Sequence, residues 1–410
     1  MKSIIVGQSG GPTAVINSSI AGVYKKAKEL GYEHVYGMVH GIEGFLNEDI
    51  IDLDEYLSDE RNYELLKRTP SAFLGSCRYK LPKIEDNKEV YEKIFSILDK
   101  NNIDALLYTG GNDSMDTVKM LSDYAKEIGS SKLFMGIPKT IDNDLPITDH
   151  CPGYGSCCKY IATSLKEIIR DNASFGVVKP TVCIVEIMGR HAGWLTASAS
   201  LAKDDSCEGV DAIYLPEVAF DLDKFLDKVK ELAKVKSSIV IAVSEGVQTA
   251  DGKFVCELGA GDRAVDAFGH KQLSGCASTL ADIVAKETGL KTRAIEFSTL
   301  QRAASHIASL TDINEAEAVG MRAVEEIEAG NTGMMVTLNR VSDNPYTFET
   351  GVYDIHDIAN VEKKVPMEWI DLDNNQMKDE FLTYARPLIQ GELLPMFKNG
   401  VPEHLVRKEK

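Results

Sequence analysis

The sequence has no long apolar run and a deficit of basic residues. Its longest apolar runs, such as residues 239–243, fall far short of the about 18 residues that a membrane-spanning helix needs. The 410 residues carry 45 Lys and Arg against 63 Asp and Glu, which gives a formal net charge of −18. We therefore expect no membrane partner, and no nucleic acid partner, because nucleic acid demands a basic surface. Small phosphorylated ligands are not excluded, since they need only a local cluster of Arg and Lys.

Motifs typical of metal-binding or redox cysteines are also missing. None of the eight cysteines forms a C-x-x-C pair, and no Cys/His group has zinc-finger spacing. Residues 1–3 lead straight into an apolar stretch that is too short for the core of a signal peptide. We therefore expect reduced cysteines and a cytoplasmic protein.

Short apolar runs that alternate with helix-like stretches dominate the chain. Helical spacing is seen at 89–100 and 221–234, and the apolar runs lie at 3–7, 105–110, 133–136, 182–189, 212–216, 238–244 and 293–297. Several runs are almost continuously apolar, which is typical of strands covered on both faces. The alternation predicts an α/β fold with largely parallel sheets, in which ligands bind at the carboxyl ends of the strands.

Glycines follow the first two predicted strands. Gly10 and Gly11 come after the first strand, and 110–114 (Gly-Gly-Asn-Asp-Ser) end the second. Such glycines let backbone N–H groups approach an anion at a helix N-terminus, and Asp113 could hold a divalent cation beside a phosphate. The alternative is an ordinary strand-to-helix turn in which Asp113 or Ser114 caps the helix.

The third strand ends in 138–144 (Pro-Lys-Thr-Ile-Asp-Asn-Asp), a pattern suited to phosphoryl transfer. One of the carboxylates Asp142 and Asp144 can take a proton while the other supports a metal, and Lys139 spreads charge from the moving phosphoryl group. A generic acidic turn is the alternative. Three such strand endings in one half of the chain argue against it.

These motifs together resemble a known family. Gly10-Gly11 and the segments 75–78, 110–114, 138–144, 188–190 and 293–302 follow the order and rough spacing of the signatures of 6-phosphofructokinases, and 384–387 resembles the tail of longer members. The resemblance implies two doubly wound lobes and Mg²⁺-dependent phosphorylation of the 1-hydroxyl of fructose 6-phosphate. It also implies a homodimer or homotetramer.

Two positions point to the phosphoryl donor. ATP-using members of the family carry glycine where this chain has Asp113 and Lys139, so the chain is similar to the pyrophosphate-dependent branch. A carboxylate at Asp113 would repel the α-phosphate of ATP, and Lys139 would supply a cation near the transferred group. The alternatives are an ATP-dependent enzyme and a non-catalytic regulatory homologue, although the latter would be expected to lose Asp142 and Asp144. A dinucleotide oxidoreductase is disfavoured because no G-x-G-x-x-G follows the first strand.

The resemblance also assigns roles residue by residue. In catalysis it implies Asp142 as base, with Lys139 and Asp113. The donor would be bound by Gly10, Gly11, Arg78, Lys80, Gly111 and Ser114. The sugar phosphate would be bound by Thr140, Ile141, Asp142, Met188, Gly189, Arg190, Glu245, Arg293, Thr299 and Arg302, with Arg293 reaching in from a neighbouring subunit. Thr299 stands where many bacterial relatives have histidine. Metal ligands would be Asn112, where aspartate is usual, Asp113 and Asp144.

The histidines and the lobe boundaries complete the expectations. We interpret the side chains of His40, His150, His191, His270 and His306 as structural. By resemblance, the donor lobe comprises 1–153 with 301–351 returning to it. The fructose 6-phosphate lobe then comprises 154–300 with the tail 352–410.

Overall fold

The computed structural model describes residues 2–175, 179–258, 275–358 and 362–408. Its strands are β1 Ser3–Gln8, β2 His34–Met38, β3 Ile50–Asp52, β4 Ala105–Gly110, β5 Leu133–Pro138, β6 Thr181–Ile187, β7 Ala212–Tyr214, β8 Ser238–Ser244, β9 Lys291–Glu296, β10 Met334–Asp343, β11 Tyr346–Asp354, β12 Ile370–Asp371, β13 Gln376–Met377, β14 Phe397–Lys398 and β15 Val401–Pro402.

The α-helices are α1 Ile16–Glu29, α2 Gly41–Phe45, α3 Asp54–Leu57, α4 Glu60–Leu66, α5 Lys88–Lys100, α6 Asn112–Glu127, α7 Tyr154–Ala173, α8 Trp194–Ala197, α9 Leu222–Val235, α10 Cys276–Thr288, α11 Leu300–Ala303, α12 Leu310–Glu328 and α13 Asp379–Ala385. Short 3₁₀ helices lie at Ser198–Ala202, Val255–Leu258, Ser305–Ile307, Ile355–Asp357, Met367–Trp369 and Arg386–Ile389. No helix in the described ranges is long and apolar enough to cross a membrane.

The chain divides into two compact units, each made of separate stretches of sequence. Unit 1 comprises Met1–Cys157, Arg302–Glu362 and Leu388–Lys410, and unit 2 comprises Cys158–Gln301 and Lys363–Pro387. The sequence placed the whole tail 352–410 in the second lobe, whereas the structure divides it between the units.

Local contacts explain this division of the tail. In unit 1, Arg61 and Glu403 form an ion pair, and the backbone N–H of Leu405 donates to Thr69 Oγ1 over 2.9 Å. In unit 2, Tyr384 of the tail packs its ring 5.4 Å from the ring of Trp194. These aromatic and polar anchors are scattered along the tail, so no single composition change marks the boundary.

Unit 1 is built around a seven-stranded sheet in the order β11-β10-β5-β4-β1-β2-β3. The β5–β4–β1–β2 pairings and the β10–β5 pairing are parallel, while β3 and β11 are antiparallel edge strands. Alternate residues of β1 enter opposite cores, since Ile4 and Val6 pack with residues of α1 and α12 whereas Ile5 packs with residues of α5 and α6. The sheet is therefore covered on both faces, as the continuous apolar runs predicted.

Unit 2 contains a four-stranded parallel sheet in the order β7-β8-β6-β9. Residues of β6 and β8 form its core with residues of α9 and α10. All seven predicted strands and both predicted helices are present, within a few residues at their ends. The predictions missed the β10–β11 hairpin, in which polar residues alternate with apolar ones because β11 lies at the sheet edge.

Candidate active site

The glycine turn after β1 is tied to the segment that precedes Arg78. The backbone N–H of Gly10 donates to Cys77 O over 3.1 Å, and Ser76 Oγ donates to Gly10 O over 2.6 Å. Gly10 has a φ of +73°, a conformation that favours glycine. The turn is thus held in one geometry, and both Arg78 and Lys80 are exposed beyond it.

The ends of β4 and β5 lie side by side. The backbone N–H of Lys139 donates to Gly110 O over 3.0 Å, so the turn at 110–114 adjoins the segment 138–144. A Cβ at Gly110 would come within 1.9 Å of Ser114 Oγ, which explains why this position has no side chain. Gly111 precedes α6, and Asp113 is exposed in the first helical turn.

Lys139 is a buried cation beside the glycine turn. Its side chain is only 2% exposed, and Nζ donates to Gly11 O over 2.6 Å. Burial lowers the pKa of Lys139 to about 8, although Asp142 and Asp144 oppose this shift. Lys139 therefore remains largely protonated near neutral pH and faces the place where Gly10 and Gly11 approach it.

Asp142 is held by its own segment and by buried charge. Its backbone N–H donates to Thr140 Oγ1 over 3.0 Å, and Ile141 between them is buried. Burial raises the pKa of the Asp142 carboxyl, while Lys139 and Arg302 act in the opposite direction. A carboxyl whose proton affinity is raised in this way is suited to accept a proton during a reaction.

Arg302 joins this cluster from the start of the second segment of unit 1. Its Nη1 would lie 3.2 Å from a Cβ built on Gly11. Burial and the charge of Arg78 lower the pKa of the Arg302 guanidinium, and Asp142 raises it. The structure thus brings Gly11, Lys139, Asp142 and Arg302 together although they are far apart in the chain.

Asn112 and Asp144 form the part of the site that fits a hard cation. Asn112 Nδ2 donates to Asp144 Oδ2 over 3.3 Å, while the buried Asn112 Oδ1 has no hydrogen-bond partner in the described part of the chain. Carboxylate and amide oxygens are ligands that Mg²⁺ accepts. No group of three or more His, Cys, Asp or Glu side chains suited to a metal occurs among the described residues.

In unit 2, the turn 188–190 is packed against the end of β8. The backbone N–H of Gly189 donates to Glu245 Oε1 over 3.3 Å, and Ser244 Oγ donates to Gly189 O over 2.5 Å. Met188 and Arg190 flank this glycine and are partly exposed. The structure therefore assembles the predicted sugar-binding turn with its predicted carboxylate.

Arg293 does not join that turn within its own chain. It pairs with Cys183 in the β6–β9 register, about four residues before the end of β6. Its Nη1 lies 3.4 Å from Asp171 Oδ2, and its guanidinium stacks 4.4 Å from the Phe175 ring. Thr299 is exposed beyond β9.

A buried pair of amide side chains supports residues 73 and 74, and the sequence did not predict this pair. Leu74 N–H donates to Gln8 Oε1, and Phe73 N–H donates to Asn17 Oδ1, each over 2.9 Å. Gln8 Nε2 in turn donates to Asn17 Oδ1 over 2.9 Å. Gln8 and Asn17 thereby hold the segment that leads into residues 75–78. The only sequence signal was a polar residue at the end of an apolar strand.

His150 is a structural histidine, as interpreted from the sequence. Its ring nitrogens lie 2.7 Å from Asp149 Oδ2 and 2.7 Å from Glu315 Oε2, and the side chain is buried. The carboxylates outweigh burial and raise the pKa of His150 to about 9. His270 lies outside the described residues.

Comparison with known proteins agrees with this architecture. A family profile described as phosphofructokinase matches residues 3–327. The chain belongs to the phosphofructokinase family.

Individual relatives match over nearly the whole chain. The chain is 40% identical over 406 residues to the pyrophosphate–fructose 6-phosphate 1-phosphotransferase of Methylococcus capsulatus, covering 98% of this chain and 95% of that one. It is 40% identical over 407 residues to the protein of the same name from Xanthomonas campestris, covering 99% and 96%. The crystal structure of pyrophosphate-dependent phosphofructokinase from Nitrosospira multiformis superposes with a TM-score of 0.88 at 38% identity, covering 100% of this chain and 98% of that one.

Proposed function

We propose that this protein reversibly transfers a phosphoryl group from pyrophosphate to the 1-hydroxyl of fructose 6-phosphate. The products are fructose 1,6-bisphosphate and phosphate. Family membership and the names of the full-length relatives support this assignment. The observation that carries it is the convergence of Lys139, Asp142 and Arg302 beside Gly11 in unit 1.

The chemistry assigned to these side chains follows from their charges. The Asp142 carboxylate takes the proton of the sugar hydroxyl as that oxygen bonds to phosphorus. The bond between phosphorus and the bridging oxygen of pyrophosphate breaks, and phosphate leaves. Lys139 stabilises the negative charge on the moving group because it is already buried and held by Gly11 O.

Donor choice rests on Asp113 and Lys139. Asp113 stands in the first turn of α6, two residues after Gly111, where an approaching nucleotide would bring its α-phosphate. The carboxylate repels that phosphate, whereas the shorter pyrophosphate does not extend so far. Gly10, Gly11, Gly111, Ser114, Arg78 and Lys80 complete the proposed donor site.

Mg²⁺ is the proposed metal, held by Asn112 and Asp144 with Asp113 nearby. The acceptor oxygen of Asn112 that lacks a partner supports this placement. When bound, Mg²⁺ supplies neutralisation of the charge on the pyrophosphate oxygens. Asn112 and Asp144 orient each other through their hydrogen bond, so the acceptor oxygen of Asn112 stays directed at one place.

The family resemblance assigns the proposed contacts with the sugar phosphate residue by residue. Thr140, Ile141 and Asp142 would contact the reactive end, and Met188, Gly189, Arg190 and Glu245 the hydroxyls. Arg302 would contact the sugar phosphate as well. Arg293 contacts Asp171 and Phe175 in its own chain. The family resemblance supports the proposal that it serves the site of a neighbouring subunit. Thr299 would line the same site. We propose a homodimer or homotetramer that is located in the cytoplasm.

Side-by-side assays with pyrophosphate and ATP test the proposal. Purified protein with Mg²⁺ and fructose 6-phosphate should form fructose 1,6-bisphosphate with pyrophosphate and run readily in reverse with phosphate. ATP should give little product. Product formation with ATP alone would identify an ATP-dependent enzyme, and no product with either donor would favour a regulatory homologue.

A further inference from the structure

The tail segment Lys363–Pro387 is bound to the edge of the unit 2 sheet. The backbone N–H of Ile213 in β7 donates to Asn375 O over 2.8 Å, and Gln376 Nε2 donates to Val210 O over 2.9 Å. The tail segment thus covers β7, which is an edge strand. A covered edge explains part of its role, because an exposed strand edge invites unwanted pairing.

The same tail segment is also joined to the loop that follows the sugar-binding turn. Glu217 Oε1 accepts hydrogen bonds from Gly193 N–H over 2.8 Å and from Val365 N–H over 3.1 Å. Gly193 ends the loop after the turn 188–190, and Val365 lies in the tail segment. One carboxylate oxygen therefore connects two segments that are far apart in the chain.

Trp194 provides a second connection beside the first. Its Nε1–H donates to Lys363 O over 2.8 Å. Its ring packs 5.4 Å from Tyr384 and 6.2 Å from Trp369, both in the tail segment. The loop and the tail segment are thus joined by polar and aromatic contacts at consecutive residues.

The Glu217 carboxylate has a buried oxygen that makes no hydrogen bond in the described part of the chain, which is unusual for a residue with only a structural role. This oxygen is Oε2, and burial raises the pKa of the carboxyl. A Cβ on Gly193 would lie 2.5 Å from this oxygen, so glycine is required for the approach. A buried polar atom without a partner costs stability, which points to a role in holding the loop.

The turn 188–190 and the loop after it are bound by two different carboxylates. Glu245 binds the turn at its middle residue, Gly189, and Glu217 binds the end of the following loop at Gly193. Within the turn, a Cβ on Gly189 would come within 2.7 Å of Ala192 O. One carboxylate of unit 2 therefore binds the turn and another binds the end of the loop that follows it, with little room for the backbone to shift between them.

We propose that Glu217 is a positioning residue for the sugar-binding turn, and that the tail segment acts through it and Trp194 to set affinity for fructose 6-phosphate. This inference rests on the proposed function. The tail segment would then affect the binding of fructose 6-phosphate and leave the binding of pyrophosphate unchanged. Glu217 touches no substrate itself, because its hydrogen bonds go to the loop and the tail.

Calorimetric titration with fructose 6-phosphate in the absence of pyrophosphate tests this inference independently of donor choice. Glu217→Ala should weaken fructose 6-phosphate binding about 5- to 50-fold, because two buried N–H groups lose their acceptor. Its KM for pyrophosphate should change less than about 2-fold, a split that general destabilisation would not produce.

Two control variants accompany this test. Glu217→Gln keeps an acceptor oxygen and should bind fructose 6-phosphate within about 3-fold of wild type. Glu368→Gln, an exposed carboxylate of the tail segment, is the matched control and should bind as wild type does.

Several outcomes would overturn the inference. A folded Glu217→Ala variant with wild-type affinity for fructose 6-phosphate would do so, as would equal weakening of both substrates. If Glu217→Ala does not fold, Trp194→Phe decides, since it keeps an aromatic ring at this position and loses the hydrogen bond to Lys363. It should weaken fructose 6-phosphate binding about 2- to 5-fold, and no change would refute the role of the tail. Absence of fructose 6-phosphate binding by wild type would refute the proposed function itself.

Discussion

Lys139 and Asp142 show how burial sets the charge of individual side chains in the candidate site. Burial disfavours the charged form of each, so it lowers the pKa of the lysine and raises that of the aspartate. Their mutual attraction opposes both shifts. Both groups therefore titrate closer to neutral pH than in water, a condition suited to proton transfer next to a fixed cation.

Replacing Asp142 by asparagine should abolish most of the turnover and leave the fold intact. The amide retains the shape of the side chain and cannot accept the hydroxyl proton, so we expect kcat to fall roughly 10²- to 10⁴-fold. Steady-state assays and circular dichroism measure both effects. Asp227→Asn, on the exposed face of α9, is the matched control. Near-normal turnover of folded Asp142→Asn would remove Asp142 from the mechanism.

The pKa of Lys139 predicts a pH limit on activity. Because this pKa lies at about 8 in the free protein, Lys139 loses its proton as the pH rises through 8, and kcat/KM for pyrophosphate should decline there. A pH profile from 6 to 10 measures the decline. In Lys139→Arg, if it is active, the decline should move to higher pH, while exposed Lys126→Arg should leave it in place. A decline that persists near pH 8 in Lys139→Arg would assign it to another group.

Asp113 is expected to exclude ATP by charge. Asp113→Gly removes the carboxylate and should let ATP bind, which titration with ATP and Mg²⁺ can measure directly. Asp113→Glu keeps the charge and should still exclude the nucleotide. If Asp113→Gly gains no ATP binding, a further residue must exclude ATP. If wild type uses ATP as readily as pyrophosphate, the proposed role of Asp113 is wrong.

At the scale of elements, the crossing of α1 and α12 illustrates how glycine permits close helix packing. A Cβ on Gly22 would lie 2.0 Å from Glu317 O, and one on Gly320 would lie 2.1 Å from Ser19 O. The backbones therefore touch at this crossing. Because α1 begins just after the glycine turn at Gly10 and Gly11, the crossing also fixes the start of the proposed donor site.

Gly22→Ala should destabilise unit 1 by about 2–3 kcal/mol, because the added methyl group must force the two helices apart. Thermal or urea unfolding measures the change. Gly31→Ala is the contrast: nothing lies within 4 Å of its Cβ, but its φ of +80° disfavours alanine, so only about 1 kcal/mol is expected. An equal loss of unfolding free energy in the two variants would show that α1 and α12 move apart at no additional cost.

On the scale of the whole molecule, each unit is assembled from stretches that are distant in sequence. In unit 1, His150 bridges Asp149 and Glu315, and Arg340 of β10 also pairs with Asp149. This buried network connects the loop after the segment 138–144 to α12 and the sheet. Asp312 adds backbone contacts, since its carboxylate accepts from Gly153 N–H and Ser156 N–H over 2.8 Å each.

Stability should therefore decline as the pH rises above neutrality. The pKa of His150 is raised from 6.5 to about 9, so its contribution is complete below pH 6.5 and is lost as the pH rises through 9. Between pH 6.5 and 8 the expected loss is about 1–2 kcal/mol. Asp312, whose pKa of about 6 is also raised, has lost most of its contribution by pH 6.5.

Urea unfolding of wild type and His150→Gln at several pH values isolates this contribution. The variant should be less stable at pH 6.5 and should lack most of the decline. Lys139 acts in the opposite sense, because its lowered pKa makes burial costly until the proton leaves above pH 8. An equal decline in both proteins between pH 6.5 and 8 would show that His150 is not its source.

Much of the fold was predictable because it depends on local sequence pattern. The strands β1, β4, β5, β6 and β8 are nearly continuous in apolar residues, and this pattern alone indicates burial on both faces. The edge hairpin β10–β11 was missed because half of its surface is exposed. The division of the tail was predicted wrongly because the last part of the tail is anchored at Thr69 and Leu74, hundreds of residues away in the chain.

The sequence by itself determined which residues carry the proposed chemistry, since Asp113, Lys139, Asp142 and Asp144 are read directly from short motifs. Only the tertiary structure decided their environment. It directs Asn112 at Asp144 while Asp113 is exposed, and it buries Lys139 against Gly11. It also holds residues 73 and 74 through Gln8 and Asn17. It also binds the tail segment, through Glu217, to the loop that follows the turn 188–190. Desolvation and hydrogen bonding between distant segments depend on the packed fold, and no local pattern of residue types encodes them.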